Sequence, residues 1–180
     1  HWGTNERYGL TRSYRATLES LRSVDDLVGE VLGALAETGA LEQTVIVFTS
    51  DNGLTFGEHR IKWWKVVPYE ESIHVPLVIR GPGFPAGATA QQVVGNIDIA
   101  PTLVDLSQAT PRRTMDGRSL VALAQDPDVA ADRAVLVENW PDGTSQVVPH
   151  YDGVRAQGWV YLEYGNGERD QRQRGEIEQR

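Results

Sequence analysis

The fold is decided by the stretch TVIVFT-SDNG, residues 44–53. Its first six residues are β-branched or aromatic, which is typical of a short strand buried on both faces of a sheet. A carboxylate and a carboxamide, Asp51 and Asn52, then appear where the strand ends. Because open α/β sheets place their chemistry at the carboxyl ends of strands, this turn is a candidate functional site. The pair offers hard oxygen ligands to a divalent cation, although an Asx turn would use the same residues.

Periodicity on either side of this stretch predicts an α/β fold. Residues 11–37 carry apolar side chains at spacings of three and four, which predicts a long amphipathic helix. A helix that feeds a buried strand indicates a mostly parallel sheet. Residues 73–80 predict a second strand, with Pro76 near its start because proline lacks an N–H. Further strands are predicted at 93–94 and 134–138, and a hairpin is predicted for 154–156 with 159–164. Helices are predicted at 98–106, with Asp98 as N-cap, and at 120–124. The ends of the chain, 1–10 and beyond Gly165, are predicted to be irregular or frayed.

Composition excludes several classes of function. The 180 residues carry a formal net charge of -8, which argues against a nucleic-acid partner because binding phosphates requires a basic face. No apolar stretch approaches the ~20 residues of a membrane span. Cysteine is absent, which excludes a disulfide, a thiolate metal site and a cysteine nucleophile within these residues. The chain starts at His1 without a visible signal peptide, so we expect a fragment or a processed chain.

Cationic side chains follow the candidate metal turn closely. Lys62 and Lys65 are the only lysines among 17 basic residues, and a lysine ammonium suits a tetrahedral oxyanion. His59 lies just before them. A divalent cation polarises ester oxygens, a lysine neutralises charge that develops in the transition state, and a histidine can protonate the leaving oxygen or hold the anion. Residues 51–71 therefore predict a site for a tetrahedral anionic ester.

An ordered series of motifs across residues 12–165 resembles the sulfatase family. The series comprises LRSVDDLV at 21–28, SDNG at 50–53, GEH at 57–59, Lys65 followed by YE at 69–70, VPL at 75–77, RGPG at 80–83, NIDIAPT at 96–102, DGRSL at 116–120, GVR at 153–155 and YLEY at 161–164. The resemblance implies an α/β, alkaline-phosphatase-like sandwich with a small C-terminal α+β subdomain. It also implies hydrolysis of sulfate esters by a formylglycine nucleophile beside a calcium ion (Ca2+).

The same resemblance implies roles for individual residues. Asp51 and Asn52 match two of the calcium ligands, and Lys65 matches the residue that contacts the substrate sulfate. The spacing to the next motif favours Lys65 over Lys62 for that contact. His59 matches the GEH segment, and its role stays open between catalysis and lining the substrate mouth.

Two parts of a sulfatase site are missing from these residues. The Cys/Ser-x-Pro/Ala-x-Arg motif that yields formylglycine does not occur, and the paired N-terminal aspartate ligands are missing as well. We therefore expect a fragment whose nucleophile lies upstream and which is inactive alone. Residues 1–125 are assigned to the C-terminal part of the catalytic domain, 126–165 to part of the C-terminal subdomain and 166–180 to a polar tail.

Two other functions remain open. A phosphatase or phosphonate-ester hydrolase of the same superfamily often carries Asp-His at the position of Asp51 and Asn52, so Asn52 favours calcium and sulfate over softer metals. A non-catalytic sulfoglycan-binding pseudoenzyme would keep the binding residues without a nucleophile. The substrate, a sulfated small molecule or glycan, and the oligomeric state are open too. Family habit favours an exported, periplasmic or lysosomal protein.

Neighbouring side chains have structural explanations as well. His74 is predicted to be a structural histidine in a buried strand. Trp63 and Trp64 either stack on a sugar or aryl group of the substrate or close the loop against the body of the protein. Glu70 and Glu71 are expected to order the loop, for example by pairing with a nearby cation.

Overall fold

The computed structural model describes residues 2–126, 128–129, 132–140 and 148–173. The described helices are α1 (Thr4–Glu37), α2 (Glu70–Ile73), α3 (Ile99–Leu106) and α4 (Val121–Gln125), with short 3-10 turns at Leu41–Gln43, Glu58–Arg60 and Asn96–Asp98. The described strands are β1 (Ile46–Thr49), β2 (Leu77–Arg80), β3 (Ala134–Asn139), β4 (Tyr151–Ala156), β5 (Trp159–Tyr164) and β6 (Arg169–Gln173). None of the described helices combines the length and apolar character needed to cross a membrane.

The strand that decides the fold lies in a two-stranded antiparallel sheet. β1 pairs with β2, so that Ile46 faces Arg80 and Thr49 faces Leu77. Every strand pairing among the described residues is antiparallel, so the prediction of a mostly parallel sheet is wrong for this part of the chain. The reason is the connection: the chain leaves β1 through a long loop and returns beside it, without a helix that crosses the sheet.

Much of the apolar surface of the N-terminal part is not covered by any of the described residues. Phe48 in β1 is 40% exposed and Val78 in β2 is 59% exposed, so the predicted burial of this strand on both faces is not observed. Helix α1 does carry the predicted apolar stripe, but its members Leu18, Leu21, Val24, Leu27 and Val31 are also exposed. The composition of both elements indicates surfaces built for burial, and the described residues do not supply the partner.

Several predicted boundaries are wrong for local reasons. Helix α1 begins at Thr4 and not at residue 11, since the Glu6 carboxylate accepts a 3.0 Å hydrogen bond from the Gly3 N–H at its start. Strand β2 is confined to its second half because residues just before it form α2, and residues 93–94 form no strand. The chain after Gly165 forms β6 as far as Gln173 instead of fraying, and the rest of the predicted tail lies outside the described residues.

The C-terminal sheet provides the main core. Strands β3, β4, β5 and β6 form an antiparallel meander in sequence order, and the predicted β4–β5 hairpin is confirmed, with Ala156 opposite Trp159. The core consists of Val67, Val148, Tyr151, Val160 and Leu162, each at most 7% exposed. Ile61, Trp64 and Tyr69, which follow the candidate metal turn in sequence, pack against this core. The C-terminal sheet therefore supports the segment that carries the candidate site.

Asp98 acts differently from the predicted N-cap. Helix α3 begins after it, as expected, but its side chain makes no capping hydrogen bond to α3. Instead its fully buried carboxylate accepts hydrogen bonds from the N–H groups of Gly95 and Arg118, each at 2.8 Å, and from the Arg133 guanidinium. This carboxylate therefore fastens three separate segments to one another.

Candidate active site

The candidate residues lie on one closed loop, residues 50–74, which we call the site loop. Backbone hydrogen bonds close it in three steps, from Gly53 N to Ser72 O at 2.8 Å, from Thr55 N to Trp64 O at 2.9 Å and from Gly57 N to Ile61 O at 3.0 Å. Thr55 is fully buried, and its hydroxyl also accepts a 2.9 Å hydrogen bond from the Trp64 N–H. The site loop is thus a packed structure rather than an open excursion.

Two glycines permit this packing. A Cβ on Gly53 would collide with the backbone carbonyl oxygen of Glu71, so only glycine allows the two arms of the loop to approach. Gly57 has a φ of 114°, a conformation that residues with side chains rarely adopt. Both glycines belong to the motifs that the sequence analysis singled out, SDNG and GEH.

Backbone strain is concentrated in the same loop. Among the described residues, five non-glycine residues have positive φ, and four of them lie here: His59, Arg60, Trp63 and Val66. The φ of 67° at Val66 is especially unfavourable because valine is β-branched. Strained backbone persists only where surrounding contacts enforce it, and it is found disproportionately at functional sites.

Asp51 and Asn52 form a hydrogen-bonded turn and still leave oxygens available. The Asn52 N–H donates to Asp51 Oδ1 at 2.9 Å, and the Ser50 hydroxyl donates to the Asn52 carbonyl at 2.8 Å. The Asn52 side-chain amide donates to the Gly53 carbonyl at 2.8 Å. The second carboxylate oxygen of Asp51 and the side-chain oxygen of Asn52 accept no hydrogen bond from any described residue. A structural role of this turn is therefore compatible with a role in binding a metal.

Asn96 holds the turn from outside the site loop. Its Nδ2 donates to the carbonyl oxygens of both Ser50 and Asp51, each at 3.1 Å. The sequence analysis assigned it no role, although it is the first residue of the NIDIAPT motif. An asparagine directly before a predicted helix start was the available signal, but nothing in the sequence identified the carbonyls it would bind.

The donor set fits a calcium ion in part. The Asp51 carboxylate is exposed, and together with the Asn52 amide oxygen it offers two hard oxygens on adjacent residues. Calcium takes six to eight such ligands, so these residues would supply a minority of them. Within the described ranges no three histidine, cysteine, aspartate or glutamate side chains converge in a way that could hold a metal. The chemistry of the turn thus suits at most a share of a metal site.

His59 is held on one face and at one edge of its ring by neighbours in the site loop. Its side chain is only 7% exposed, and its Nε2 lies 3.2 Å from Glu71 Oε2. Its ring stacks on Tyr69, with centroids 3.8 Å apart and planes within 10° of parallel. The predicted ordering role of Glu71 is confirmed by this contact. A histidine held in one orientation can deliver or accept a proton at a defined place.

The two lysines have different environments. Lys62 Nζ lies 2.6 Å from Glu6 Oε1 and 4.9 Å from the centre of the Trp2 ring, so it fastens the start of α1 to the site loop. Lys65 is exposed and forms no hydrogen bond or ion pair with the described part of the chain. Of the two lysines, Lys65 is therefore the one whose charge has no partner among the described residues.

Three neighbouring predictions have clear outcomes. His74 is not buried, since its side chain is 67% exposed and lies 3.4 Å from Glu70 in the turn before β2. Trp64 packs against the C-terminal core, whereas Trp63 is 45% exposed, so only Trp63 presents a ring to solvent. Glu70 does pair with a cation, Arg155 of β4, at 2.8 Å.

Comparison with protein families gives two matches that overlap along the chain. The sulfatase family model matches residues 2–109. The model described as N-sulphoglucosamine sulphohydrolase, C-terminal, matches residues 57–172. Together they cover both the site loop and the C-terminal sheet.

Curated relatives agree with these matches. The chain is 37% identical over 142 residues to the human N-acetylglucosamine-6-sulfatase, an alignment that covers 78% of this chain and 26% of the relative. It is 40% identical over 125 residues to the Drosophila melanogaster extracellular sulfatase SULF-1 homolog, which covers 69% of this chain and 11% of the relative. The chain thus spans about a quarter or less of the length of these relatives.

Solved structures share the fold. A protein in complex with its substrate D-glucosamine-2-N,6-O-disulfate is 28% identical, with a TM-score of 0.78 over 87% of this chain and 33% of that one. The phosphonate monoester hydrolase of Agrobacterium radiobacter is 26% identical, with a TM-score of 0.71 over 86% of this chain and 33% of that one. The predicted alkaline-phosphatase-like fold is confirmed at this level, with mixed helices and antiparallel sheets in the part described.

Proposed function

Because the chain belongs to the sulfatase family, we propose that it forms part of an enzyme that hydrolyses sulfate esters. The observation that carries the proposal is the site loop, which joins an Asp-Asn turn, an oriented histidine and a lysine, where two oxygens of the turn and the lysine ammonium have no partner among the residues that the structure describes. The sulfatase family match runs through all of these residues. The family is generally metal-dependent, which suits the oxygen donors at the start of the loop.

We assign the following roles to the residues of this chain. Asp51 and Asn52 provide two ligands of a calcium ion, and Asn96 keeps their turn in place by binding its carbonyls. A calcium ion bound there would polarise the oxygens of the ester. Lys65 contacts the sulfate group and offsets its negative charge, because its ammonium group has no competing partner among the described residues. His59 donates a proton to the leaving oxygen or lines the substrate mouth.

The remaining parts of the site are expected outside these 180 residues. Neither the nucleophile motif nor the family's paired N-terminal aspartate ligands occur in the sequence. We therefore propose that a formylglycine, made from a cysteine or serine upstream, completes the site in the full-length protein. On this proposal the isolated chain has no turnover.

A sulfated amino sugar is the substrate class that the relatives favour. The human relative is named for N-acetylglucosamine 6-sulfate, and the similar solved protein holds a glucosamine disulfate. Trp63 presents an exposed ring in the site loop, a surface on which a sugar can stack. The extracellular sulfatases among the relatives support export of the protein.

A phosphonate-ester hydrolase is the second candidate, supported by the fold shared with such an enzyme. Asn52 argues against it, since a carboxamide oxygen is a hard ligand suited to calcium. The metal content of the purified full-length protein separates the two. We expect stoichiometric calcium that is lost in D51A and retained in D25A, which removes an exposed aspartate of α1. Stoichiometric zinc, or calcium unaffected by D51A, would reject the proposed site.

A further inference from the structure

One side chain of the C-terminal sheet reaches into the site loop. Arg155 of β4 donates through Nε to Glu70 Oε1 at 2.8 Å, across 85 positions of sequence. Both side chains are largely buried, at 14% exposure for Arg155 and 19% for Glu70. The same guanidinium donates through Nη1 to the carbonyls of Ala156 and Trp159, which fix it to the β4–β5 turn. The pair thus connects a rigid hairpin to a loop residue.

Glu70 lies between the two residues that hold His59. Tyr69 stacks on the His59 ring, and Glu71 lies 3.2 Å from its Nε2. Because Tyr69, Glu70 and Glu71 are consecutive, fixing the Glu70 side chain also fixes the backbone from which both neighbours project. The position of His59 therefore depends on a contact made by the C-terminal sheet, which is separate from the sheet of β1 and β2 that the site loop connects.

The same strand supports the loop at a second point. The Tyr151 hydroxyl of β4 donates to the Val66 carbonyl at 3.4 Å, directly after Lys65. Val66 has positive φ, and strained backbone reverts to a relaxed conformation unless its surroundings enforce the strain. Strand β4 therefore contacts the loop at Val66 and at Glu70, close to the two ends of the segment from Lys65 to Glu71.

We propose that Arg155 is a positioning residue, which sets the geometry of His59 and of the loop around Lys65 through its ion pair with Glu70. The assignment rests on the proposed function for the catalytic meaning of that geometry, but not for the geometry itself. It gives the C-terminal sheet a role in the reaction beyond stability. The guanidinium of Arg155 is itself occupied by three protein acceptors, Glu70, Ala156 and Trp159.

Hydrogen exchange of the full-length protein, read by mass spectrometry, tests the geometry without reference to activity. In R155M we expect amides of residues 53–74 to exchange about tenfold faster, which corresponds to about 1.4 kcal/mol of lost local stability. Peptides from β5 and β6 should change less than the loop. The matched control is R169M, which removes an exposed arginine of the same sheet paired with Glu163 at 3.3 Å, and it should leave the loop unchanged.

Further variants separate positioning from a merely structural role. E70Q should reproduce the loop effect from the opposite side, and the effect of the double variant on the loop should fall clearly short of the sum of the two single effects, because both variants remove the Arg155–Glu70 ion pair. R155K should recover part of the protection. If sulfate-ester hydrolysis is found, R155M should lower kcat by about 10–100-fold, the cost of a small misplacement of catalytic groups, while KM changes less.

The outcomes are distinguishable. Unchanged loop exchange in both R155M and E70Q, additive effects, or equal loss of protection in loop and sheet would each overturn the positioning role. A protein without sulfatase activity but with the expected exchange pattern would refute the proposed function and leave the role of Arg155 in shaping the loop intact.

Discussion

Arg133 binds Asp98 through two parallel hydrogen bonds, with Nη1 2.7 Å from Oδ2 and Nη2 2.6 Å from Oδ1. The Asp98 side chain is fully buried and that of Arg133 is 7% exposed. Asp98 lies two residues after Asn96, which holds the Asp-Asn turn, and Arg133 directly precedes β3. The pair therefore anchors the segment that supports the candidate metal ligands to the beginning of the C-terminal sheet.

Breaking this pair should destabilise the protein strongly. D98N leaves the Arg133 guanidinium buried without a counter-charge, and removing one partner of a buried ion pair typically costs about 3–5 kcal/mol. Urea unfolding of the full-length protein, compared between the wild type and D98N, measures the loss. E163Q serves as the control, because it removes one partner of an exposed pair on β5 and should have little effect. A loss in D98N no larger than in E163Q would contradict the anchoring role.

The contribution of the pair should also depend on pH. Burial alone raises the pKa of the Asp98 carboxyl, but hydrogen bonds from Arg133, Gly95 and Arg118 and the charge of Arg133 outweigh it and hold the pKa below its ordinary 3.8. Because the folded-state pKa is depressed, the stabilisation is present above about pH 4 and is lost as the pH falls through the folded pKa.

The free energies of unfolding of the wild type and D98N, measured as a function of pH, test this. Their difference should stay constant between about pH 5 and pH 8 and should shrink only under more acidic conditions. A difference that instead disappears near neutral pH would mean that another group controls the stability of this region.

The sequence predicted local features better than it predicted the sheet. The turn after β1, the β4–β5 hairpin and the start of α3 after Asp98 are local features, set by glycines and by residues adjacent in the chain. Strand direction in β1 and β2 depends on how a long loop returns, which periodicity does not report. Residues 4–10 were missed because their helix is held by the hydrogen bond between Glu6 and Gly3 at its start and by contacts with the distant residues 57 and 62.

The candidate site was predictable in part for the same reason. Asp51 and Asn52 adjoin each other, and Lys65 is distinguished by the scarcity of lysine, so the sequence alone was enough to name them as candidates. Asn96 and Arg155 act on the site across 45 and 85 positions. Their side chains are ordinary in sequence, and only the folded geometry shows which carbonyls and which carboxylate they bind.

Lys65 should matter for catalysis where Lys62 does not. K65A removes the one site-loop ammonium that has no partner in the described part of the chain, and removing a donor that stabilises transition-state charge typically costs about 10²–10³-fold in kcat. K62A is the matched control, since Lys62 is occupied by Glu6 and Trp2 and should affect stability more than turnover. Steady-state kinetics of sulfate-ester hydrolysis would reject the assignment if K62A were the more damaging change.

The dependence on the leaving group should reveal the role of His59. If His59 protonates the leaving oxygen, H59A should slow an unactivated sugar sulfate about 10²-fold more than 4-nitrophenyl sulfate, whose leaving group needs no proton. H74A, at an exposed histidine, should show no such difference. Equal losses on both substrates in H59A would instead identify His59 as a residue that lines the substrate mouth.

The central claim is that the full-length protein containing this chain hydrolyses sulfate esters. The most direct measurement is the ratio of its kcat/KM for 4-nitrophenyl sulfate to its kcat/KM for a 4-nitrophenyl phosphonate monoester, because the leaving group is then the same. We predict a ratio well above one. The rate of hydrolysis of both substrates should fall towards background when calcium is removed. A ratio below one, or no hydrolysis of either ester by the calcium-loaded protein, would contradict the account.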